Sequence, residues 1–432
     1  MAASLFQAET AKHHLPQYTG VLMLFTRPAP TGVLRRIGSS KRARCCAFFL
    51  AAGIGIGAWA SSLPLVSTRL AISKGELGFL LLGFALGAIV LMVTIGRFID
   101  RLQSDKLSLA GCVVFGTCIL LVPLASGVLT AALLILAAGA GFGTLDVSMN
   151  TEASHLERAS KRHLMSSFHG VFSVGALLGA LLVGQLVSIG GGLNLCLGIA
   201  GSTVVVVAFA SRLIARTRSF EHRISGTQSK AVKTIELSRK QLVLVIMFGA
   251  IAFLSMLAEG GVMDWTAIFL VAERGASESV GAYAFATFSA TMALGRFAGD
   301  LATGRIGHVN VIRIGGVVCA VSVSVIVVSS SISVTMFALG LCGLGVANLV
   351  PAVFAAAGHL GGDSAGRAMS IATTMGYSGL LLGPALLGFI AQHSSLTTSF
   401  GVIAGGFVLV AIVGFAVAKR MALHGLKLRH EA

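Results

Sequence analysis

Long apolar segments alternate with short charged connections along almost the whole of this 432-residue chain. A membrane-spanning helix needs about 20 mainly apolar residues. Eight long stretches contain no Lys or Arg: 45–68, 75–96, 107–157, 163–211, 241–273, 275–295, 314–366 and 368–418. Four of them have roughly the length of one span, and each of the other four, 49 to 53 residues long, is long enough for two spans and a tight turn. The pattern therefore predicts an all-α membrane protein with twelve transmembrane helices.

The longest polar connection, 212–240, falls between the sixth and seventh predicted helices. It predicts a six-helix bundle at 45–211, a basic cytoplasmic linker at 212–240 and a second six-helix bundle at 241–418. A basic, disordered cytoplasmic extension (1–44) and a short tail (419–432) complete the predicted organisation. The predicted helices cover 45–66, 77–97, 107–127, 129–149, 164–186, 192–211, 241–262, 279–297, 314–330, 333–356, 368–391 and 396–418.

Charge is scarce and unevenly distributed along the chain. Charged residues make up 11% of it and hydrophobic residues 55%, whereas a soluble protein has roughly 25% charged residues, so a soluble globular protein is excluded. If both chain ends lie on one side of the membrane, 29 of the 32 Lys and Arg residues fall on that side, and only Arg69, Lys74 and Arg274 fall on the other. Cytoplasmic loops carry the Lys and Arg excess, which predicts cytoplasmic termini. The compact loops fit an inner (plasma) membrane. The same bias accounts for the net charge of +16 without a nucleic-acid partner.

Three short sequence patterns recur in the same order in the two halves, which indicates an internal duplication. In transporters built from such repeats, the solute site lies near the bilayer midplane, between the repeats. In this alignment Asp146 is equivalent to Asn348, and His169 is equivalent to Thr373. The recurring patterns are 96–98 with 295–297, 141–146 with 343–348, and 165–179 with 369–383, at offsets of 199, 202 and 204 residues.

The connection after the second predicted helix, at 96–101, reads GRFIDR. Together with the duplicated halves, it resembles the signature G-x-x-x-D-R/K-x-G-R-R/K of the major facilitator superfamily, although the pattern is lost after Arg101. The resemblance covers about residues 45–420 and implies two pseudo-symmetric six-helix bundles. It also implies a cytoplasmic charge latch that closes one conformation. The residues of this implied latch are Gly96, Asp100, Arg101, Arg296 and Asp300.

Three further segments resemble the fucose-permease-like branch of that superfamily, and most of all its bacterial members. They are DVSMN at 146–150, FHG at 168–170 and EGGVMDW at 259–265. The resemblance implies transport of small polar solutes such as sugars and polyols. In fucose permease, acidic residues on helices one and four serve solute and proton. Asp146 matches the helix-four acid, whereas no acid between Glu9 and Glu76 matches the helix-one acid.

Few ionisable residues fall inside the predicted helices, and such residues usually face a cavity in a membrane protein. A carboxylate that is removed from water binds a proton more readily, so Asp146 is the first candidate for proton coupling. His169, one turn into the fifth predicted helix, is the second, because imidazole titrates near neutral pH. The alternatives are an Asp at a helix C-terminus bonded to neighbouring helices and a His packed against them. No Lys or Arg is expected at a depth where it would neutralise these acids.

Acidic residues also flank a glycine pair in the seventh predicted helix. Glu259 and Asp264 enclose Gly260 and Gly261, which predicts a break in the helix where backbone groups meet the solute. Glu259 would then accept hydrogen bonds from the solute, and Trp265 would provide a stacking face. The alternative is an interfacial turn, with the acids in headgroup water and the indole in the aromatic belt. The predicted solute-binding residues are Glu259, Asp264, Trp265, Asn348, Asn150 and Trp59.

These features favour a proton-coupled secondary transporter that carries a small polar solute, such as a sugar, polyol or inositol-like compound, by symport and alternating access. The ATP-binding pattern G-x-x-x-x-G-K-[ST] is absent from the sequence, so ATP is not expected to drive transport, and no enzyme activity is expected. The expected partners are the solute, protons and the lipid bilayer, with no cofactor, metal or nucleic acid, and the protein is expected to be a monomer. Two alternatives remain: efflux of drugs or metabolites by proton antiport, and a non-transporting sensor on the same fold.

Overall fold

The computed structural model describes residues 32–99, 103–160, 164–215 and 237–423. Within these ranges the chain forms fourteen α-helices joined by short turns, and no strand occurs there. Most of the predicted extension, linker and tail lies outside the described residues, as do Asp100 and Arg101 of the implied latch. The helices are α1 (Gly32–Ser61), α2 (Leu63–Leu70), α3 (Lys74–Phe98), α4 (Ser104–Leu121), α5 (Val128–Ser160), α6 (Met165–Ser188), α7 (Leu193–Ala215), α8 (Arg239–Arg274), α9 (Glu278–Ile306), α10 (His308–Val328), α11 (Ile332–Val346), α12 (Leu349–Gly361), α13 (Ala365–His393) and α14 (Leu396–Leu423).

Eleven segments of the described chain are long and apolar enough to cross a membrane. The predicted helix at 279–297 corresponds to α9, which is 29 residues long but less apolar than the others. Several helices extend beyond the apolar segment that predicts them. For example, α5 continues to Ser160 instead of ending at 149, and α8 continues to Arg274 instead of 262. Hydropathy marks only the apolar part of a helix, whereas the backbone hydrogen bonds continue into its polar ends.

Two of the predicted helices are divided, and each division lies beside a proline. The first is divided into α1 and α2 at Ser62, with Pro64 in the first turn of α2. The tenth is divided into α11 and α12 at Asn348, and Pro351 follows in the first turn of α12. Proline lacks an N–H donor and clashes with the preceding turn, so it is tolerated mainly where a helix begins.

The predicted break at the glycine pair of α8 is wrong, because α8 is one continuous helix of 36 residues. A glycine weakens a helix by only about 1 kcal/mol, whereas an unpaired backbone group inside a membrane costs several kcal/mol. The pair instead makes room for neighbouring helices, since a Cβ added at Gly261 would lie 2.8 Å from Cδ1 of Ile403. Glu259 and Asp264 therefore lie on a single uninterrupted helix.

Polar caps fix where α3 and α8 begin. The Glu76 carboxylate accepts a hydrogen bond of 2.8 Å from the Ser73 N–H, and the Ser73 hydroxyl accepts one of 3.2 Å from the Glu76 N–H. Ser238 and Gln241 form the same reciprocal pair at the start of α8. This arrangement satisfies N–H groups that have no partner within the helix. Gly275, with a φ of +65°, provides the left-handed residue that ends α8.

The two halves of the chain pack in the same way, through glycines at equivalent positions. A Cβ added at Gly175 on α6 would collide with the carbonyl oxygen of Leu50 on α1. One added at Gly379 on α13 would collide with the carbonyl oxygen of Phe253 on α8. The glycines are 204 residues apart and their partners 203, and close backbone contact of this kind is how helices associate in lipid. The predicted all-α fold of two pseudo-symmetric six-helix bundles is confirmed, with α1–α7 in the first bundle and α8–α14 in the second.

The packing also corrects the register of the repeat on α5 and α11. Gly141 of α5 lies against the backbone of Gly111 on α4, and Gly345 of α11 lies against the backbone of Gly315 on α10. Both residues of the second contact follow those of the first by 204 positions. In this register Asp146 is equivalent to Val350, so its predicted equivalence to Asn348 is wrong. A sequence alignment can place two glycine-rich segments a residue or two out of register. The contacts between packed helices leave no such freedom.

The two bundles meet along two seams, where α6 packs on α9 and α3 packs on α13. On the first seam, a Cβ added at Gly170 would collide with the ring of Phe297. On the second, a Cβ added at Gly78 would lie 2.9 Å from the carbonyl oxygen of Pro384. Each seam is thus formed by one helix from each bundle.

Polar contacts join the bundles at the end of the molecule opposite the described chain ends. Lys74 Nζ, at the start of α3, lies 3.0 Å from Glu273 Oε1 near the end of α8. The Gly75 N–H donates a hydrogen bond of 3.3 Å to Gln392 Oε1 on α13. We call these two interactions the distal contacts, since they tie α3 of the first bundle to α8 and α13 of the second.

Candidate functional site

A charged pair lies where α8 and α9 of the second bundle meet α6 of the first. Glu259 Oε1 on α8 lies 3.4 Å from Arg296 Nη2 on α9, and both side chains are 16% exposed. Arg296 Nη1 donates a hydrogen bond of 2.8 Å to Ser173 Oγ on α6. The Ser173 hydroxyl in turn donates to the His169 carbonyl oxygen, at 3.1 Å. The guanidinium group of Arg296 therefore bridges the two bundles.

This arrangement differs from two expectations based on the sequence. The expectation that no Lys or Arg neutralises the acids is wrong for Glu259, because Arg296 lies beside it. The implied latch would place Arg296 at a helix end, whereas α9 continues for ten residues beyond it. Its side chain is occupied by Glu259 and Ser173 inside the fold.

The register of the repeat explains why Arg296 lies inside the second bundle. The packing of α3 on α5 recurs in α9 on α11 at an offset of 204 residues. In that register the counterpart of Arg296 is Met92 and not Arg97. Met92 precedes Arg97 by five residues, which is about 7.5 Å along a helix and away from the helix end. The contacts that fix the register are Gly139 with the carbonyl oxygen of Phe84, and Gly343 with that of Phe288.

His169 lies one turn into α6, at the predicted position. Its ring meets the ring of Phe49 on α1 edge to face, with centroids 5.4 Å apart. It is also close enough to Arg296 for an electrostatic interaction. Within the described part of the chain, neither ring nitrogen takes part in a hydrogen bond. The imidazole thus lies within electrostatic range of Arg296, on the side of the first bundle.

Asp146 lies in the middle of α5, because this helix continues to Ser160. Its Oδ1 accepts a hydrogen bond of 3.1 Å from Asn150 Nδ2, which also donates to the Asp146 carbonyl oxygen at 2.9 Å. Tyr377 on α13, in the other bundle, lies close enough for an electrostatic interaction with the carboxylate. Among the described residues, no Lys or Arg forms an ion pair with Asp146. The Asn150 amide, a predicted solute contact, is engaged with Asp146 in this conformation.

Asp264 is half-buried on α8, and it has neither a hydrogen bond nor an ion pair within the described ranges. The adjacent Trp265 is fully buried, with its ring against Gly388 of α13. Its indole N–H has no partner in that part of the chain. Trp59 on α1 is also buried, at 2% exposure. Neither tryptophan presents a stacking face to an accessible space in this conformation.

Three other predicted residues lie at breaks or ends of helices. Asn348 lies between α11 and α12, and its Nδ2 donates a hydrogen bond of 2.7 Å to the Gly295 carbonyl oxygen of α9. Its amide therefore joins helices within one bundle. Asp300 accepts a hydrogen bond of 2.9 Å from Ser166 Oγ, which links α9 to α6 across the bundles. Gly96 is exposed near the end of α3.

Sequence reasoning missed Ser173 and the distal ion pair. A serine in an apolar helix gives no signal, since it can bond to a carbonyl oxygen of its own helix, as Ser173 does. A signal did exist for the ion pair, because Lys74 is one of only three Lys or Arg residues predicted at that end and Glu273 is an acid at the same end. Within the described ranges, no group of three or more His, Cys, Asp and Glu side chains is arranged to hold a metal ion.

Comparison with known proteins identifies the family to which this chain belongs. Residues 44–271 and 250–423 match the family described as the Major Facilitator Superfamily. An uncharacterized MFS-type transporter of Yersinia pestis is 33% identical over 373 residues, which are 86% of this chain and 94% of that protein. Because the family consists of transporters, the expectation that the protein is not an enzyme is confirmed.

Two solved structures share the fold at low sequence identity. A bacterial homologue of the human lysosomal transporter Spinster, inward-facing and unoccupied, gives a TM-score of 0.71 at 14% identity and covers 92% of this chain and 99% of that chain. The fucose:proton symporter of E. coli gives a TM-score of 0.59 at 16% identity and covers 87% of this chain and 98% of that chain. Identities this low show the fold alone, so the fucose-permease-like branch stays a resemblance. The family match and the 33% identity to the Yersinia pestis transporter show that the chain belongs to the Major Facilitator Superfamily of membrane transporters.

Proposed function

We propose that this protein is a proton-coupled secondary transporter that carries a small polar solute by symport and alternating access. The bundles would tilt about the α6–α9 and α3–α13 seams, and the solute would bind between them. The protein would act as a monomer with both termini in the cytoplasm. This orientation is supported by the Lys and Arg excess at the terminal end, which persists when Arg296 is left out of the count.

The observation that carries the proposal is a partly buried carboxylate in the middle of α5 that has no cationic partner among the described residues. Within the described residues, the side chain of Asp146 is hydrogen-bonded only to Asn150. An ionised group without a counter-charge is costly in a membrane, so taking up a proton stabilises the site and contact with water favours its release. Because Tyr377 lies nearby in the other bundle, tilting of the bundles would change the surroundings of Asp146.

The distal contacts favour the interpretation that the described conformation is the inward-facing one of the proposed alternating-access cycle. Lys74 with Glu273, and Gly75 with Gln392, hold the bundles together at the distal end. The solved structure with a TM-score of 0.71 is inward-facing, whereas the fucose symporter with 0.59 is in the outward conformation. We infer that the described conformation opens toward the chain termini.

Transport by purified protein in proteoliposomes tests the proposal, with Asp146→Asn beside the wild type. The probes are radiolabelled hexoses, pentoses, hexitols and inositols. Two quantities are measured: counterflow, which needs no proton gradient, and accumulation against a gradient, which an imposed pH difference drives. We expect the wild type to perform both. Asp146→Asn should retain counterflow and lose accumulation, because an amide resembles the protonated acid but cannot release a proton.

Glu278→Gln is the matched control, because Glu278 is an acid in the first turn of α9 at the distal end. It should retain both activities. Accumulation by Asp146→Asn at the wild-type level would refute the role of Asp146, and loss of both activities would show that the residue serves binding or folding instead.

The same vesicles separate symport from the alternatives. A symporter accumulates solute when protons move in the same direction, whereas an antiporter exports drugs or metabolites in exchange for protons. If lipophilic drugs were moved against the proton gradient and the sugars and polyols were not, efflux by antiport would replace the proposal. If no solute showed saturable flux, a non-transporting sensor would replace it.

A further inference from the structure

A second group of charges lies between the bundles, and the proposed proton site does not use it. Glu259 and Arg296 form an ion pair in which both side chains are only 16% exposed. An ion pair removed from water seldom stabilises a protein more than apolar residues of the same size. Ionisable residues inside membrane spans usually mark a functional site. Packing alone therefore does not account for this pair.

The pair has hydrogen-bonding capacity that the protein does not use. A guanidinium group has five N–H donors, and a carboxylate has two acceptor oxygens. Within the described chain, Arg296 donates to Ser173 Oγ at 2.8 Å and to Glu259 Oε1 at 3.4 Å, and Glu259 Oε2 has no hydrogen-bond partner. None of the polar atoms of the two side chains is both buried and unpaired. The unused donors and the unused acceptor are therefore not fully buried, and they remain available for further hydrogen bonds.

The chemistry of this capacity matches hydroxyl groups. A hydroxyl group both donates and accepts, so two neighbouring hydroxyls of one solute can accept from Arg296 and donate to Glu259 at the same time. A solute carboxylate would be attracted by Arg296 but repelled by Glu259, and a solute ammonium group would be attracted by Glu259 but repelled by Arg296, so a singly charged solute gains little net attraction from the pair. Because the pair has no net charge, it favours neutral solutes over ions.

We propose that Glu259 and Arg296 bind the transported solute, and that this solute is a neutral compound with several hydroxyl groups. The inference rests on the proposed transport function, to which it adds the binding residues and the charge class of the solute. Arg296 is also bonded to Ser173 of the first bundle. A solute bound to Arg296 therefore contacts a side chain that is bonded to both bundles.

Binding to the purified full-length protein tests the inference with matched probes. Glucose, glucuronate and glucosamine share one ring and differ in charge, and mannitol and myo-inositol extend the neutral set. Isothermal titration calorimetry at neutral pH gives the affinities. At least one neutral probe should bind, and any charged analogue of it should bind at least about tenfold more weakly. Binding of charged probes alone, or of none of the neutral probes, would overturn the inference.

Variants of the pair test the residues themselves. Arg296→Gln and Glu259→Gln should each weaken the binding of the neutral probe by about 10- to 100-fold, which is the effect of losing a hydrogen bond to a charged group. Arg296→Lys keeps the charge but loses the forked donor geometry. It should weaken binding while the thermal unfolding temperature stays near that of the wild type, which keeps the test valid if Arg296→Gln does not fold.

Two further variants separate binding from structure. Arg44 is the matched control, because its side chain is 14% exposed and is paired with Asp105 and Glu152 inside the first bundle. Arg44→Gln should leave solute binding unchanged, and an equal loss in Arg44→Gln and Arg296→Gln would overturn the inference. Ser173→Ala removes the link to the first bundle but leaves the pair intact, so binding should persist.

Failure of this inference is distinguishable from failure of the proposed function. Asp146→Asn should bind the neutral probe as the wild type does and lose only proton-driven accumulation. Arg296→Gln should lose binding, so that counterflow and accumulation decrease together. Proton-driven accumulation of a charged solute would overturn the inference and leave the proposed function standing.

Discussion

Weakening the distal contacts should shift the protein toward a conformation that is open at the distal end. Three polar interactions of the described residues cross between the bundles there: Lys74 with Glu273, at 3.0 Å, Gly75 with Gln392, at 3.3 Å, and the Tyr283 hydroxyl of α9, which donates to Gln185 Oε1 of α6 at 3.3 Å. Glu273 also accepts a hydrogen bond of 3.1 Å from the Leu396 N–H, but both residues belong to the second bundle. Lys74→Gln combined with Gln392→Ala therefore removes the distal contacts, which join α3 to the second bundle. It leaves the hydrogen bond between Tyr283 and Gln185 and the α8–α14 junction in place.

The size of the shift follows from the exposure of these groups. The side chains of Lys74 and Glu273 are 33% and 20% exposed, and an ion pair so close to water contributes at most about 1 kcal/mol. The hydrogen bond from Gly75 to Gln392 contributes about 0.5–1.5 kcal/mol. Loss of both is expected to cost about 0.5–2.5 kcal/mol, which changes the equilibrium between the two conformations by roughly 2- to 70-fold.

Distances between two spin labels measure this shift. In a cysteine-free background, labels at Arg69 and Ser394, which are exposed at the distal end of different bundles, should show a larger long-distance population in the double variant and a smaller increase in each single variant. High salt should act on the wild type as Lys74→Gln does, because it screens the ion pair. Glu76→Gln is the control, since within the described ranges the Glu76 side chain bonds only to Ser73 of its own cap. An unchanged distance distribution in the double variant, or an equal shift in Glu76→Gln, would refute the reasoning.

Three further predictions concern stability, and thermal unfolding in detergent measures each of them. Gly175→Val should lower the free energy of unfolding by more than about 3 kcal/mol, at or beyond the upper end for overpacking, because its Cβ would collide with α1. Gly198→Ala is the control, since its Cβ meets open space and should change stability little. Equal unfolding temperatures in the two variants would contradict the packing argument. Asn348→Ala should cost about 1 kcal/mol through loss of its 2.7 Å hydrogen bond to α9, and a change in solute selectivity would show that the amide also binds solute. Ser238→Ala should cost about 1 kcal/mol by removing the cap of α8, while faster hydrogen exchange confined to the first turn of α8 would distinguish this local effect from global loosening.

Hydropathy is sufficient to predict the order and type of the helices, and also their number except where two of them are divided beside a proline. Each long apolar segment must be covered by lipid or by another helix whatever the tertiary structure, and its backbone groups must be paired within the helix. The ends of the helices do not follow from this argument, as α5 and α8 show by continuing well beyond their apolar parts. The break in the glycine pair of α8 was predicted from local propensity, but the contacts of Gly261 with neighbouring helices decide its role.

For the site, the sequence identifies residues but not their partners. Asp146, His169 and Glu259 stand out because ionisable residues are rare in apolar segments. The pairing of Glu259 with Arg296 was hidden, because the depth of Arg296 depends on the register of the repeat. The match of its sequence motif to Arg97 indicated a helix end, whereas the packing of α9 places it about 7.5 Å deeper. Only the contacts between helices decide between these two depths.

Packing and charge follow different rules in the two copies of the repeat. The glycine contacts recur, because both bundles must bring the same pairs of backbones together. The ionisable groups do not recur, since their counterparts in the register of the packing are all uncharged. These counterparts are Val350 for Asp146, Thr373 for His169, Ile56 for Glu259, Ser61 for Asp264 and Met92 for Arg296. Each bundle folds without the charges that the other carries, so the shared packing does not require these charges. The ionisable residues that differ between the two copies can therefore determine which solute is bound and how the proton is coupled.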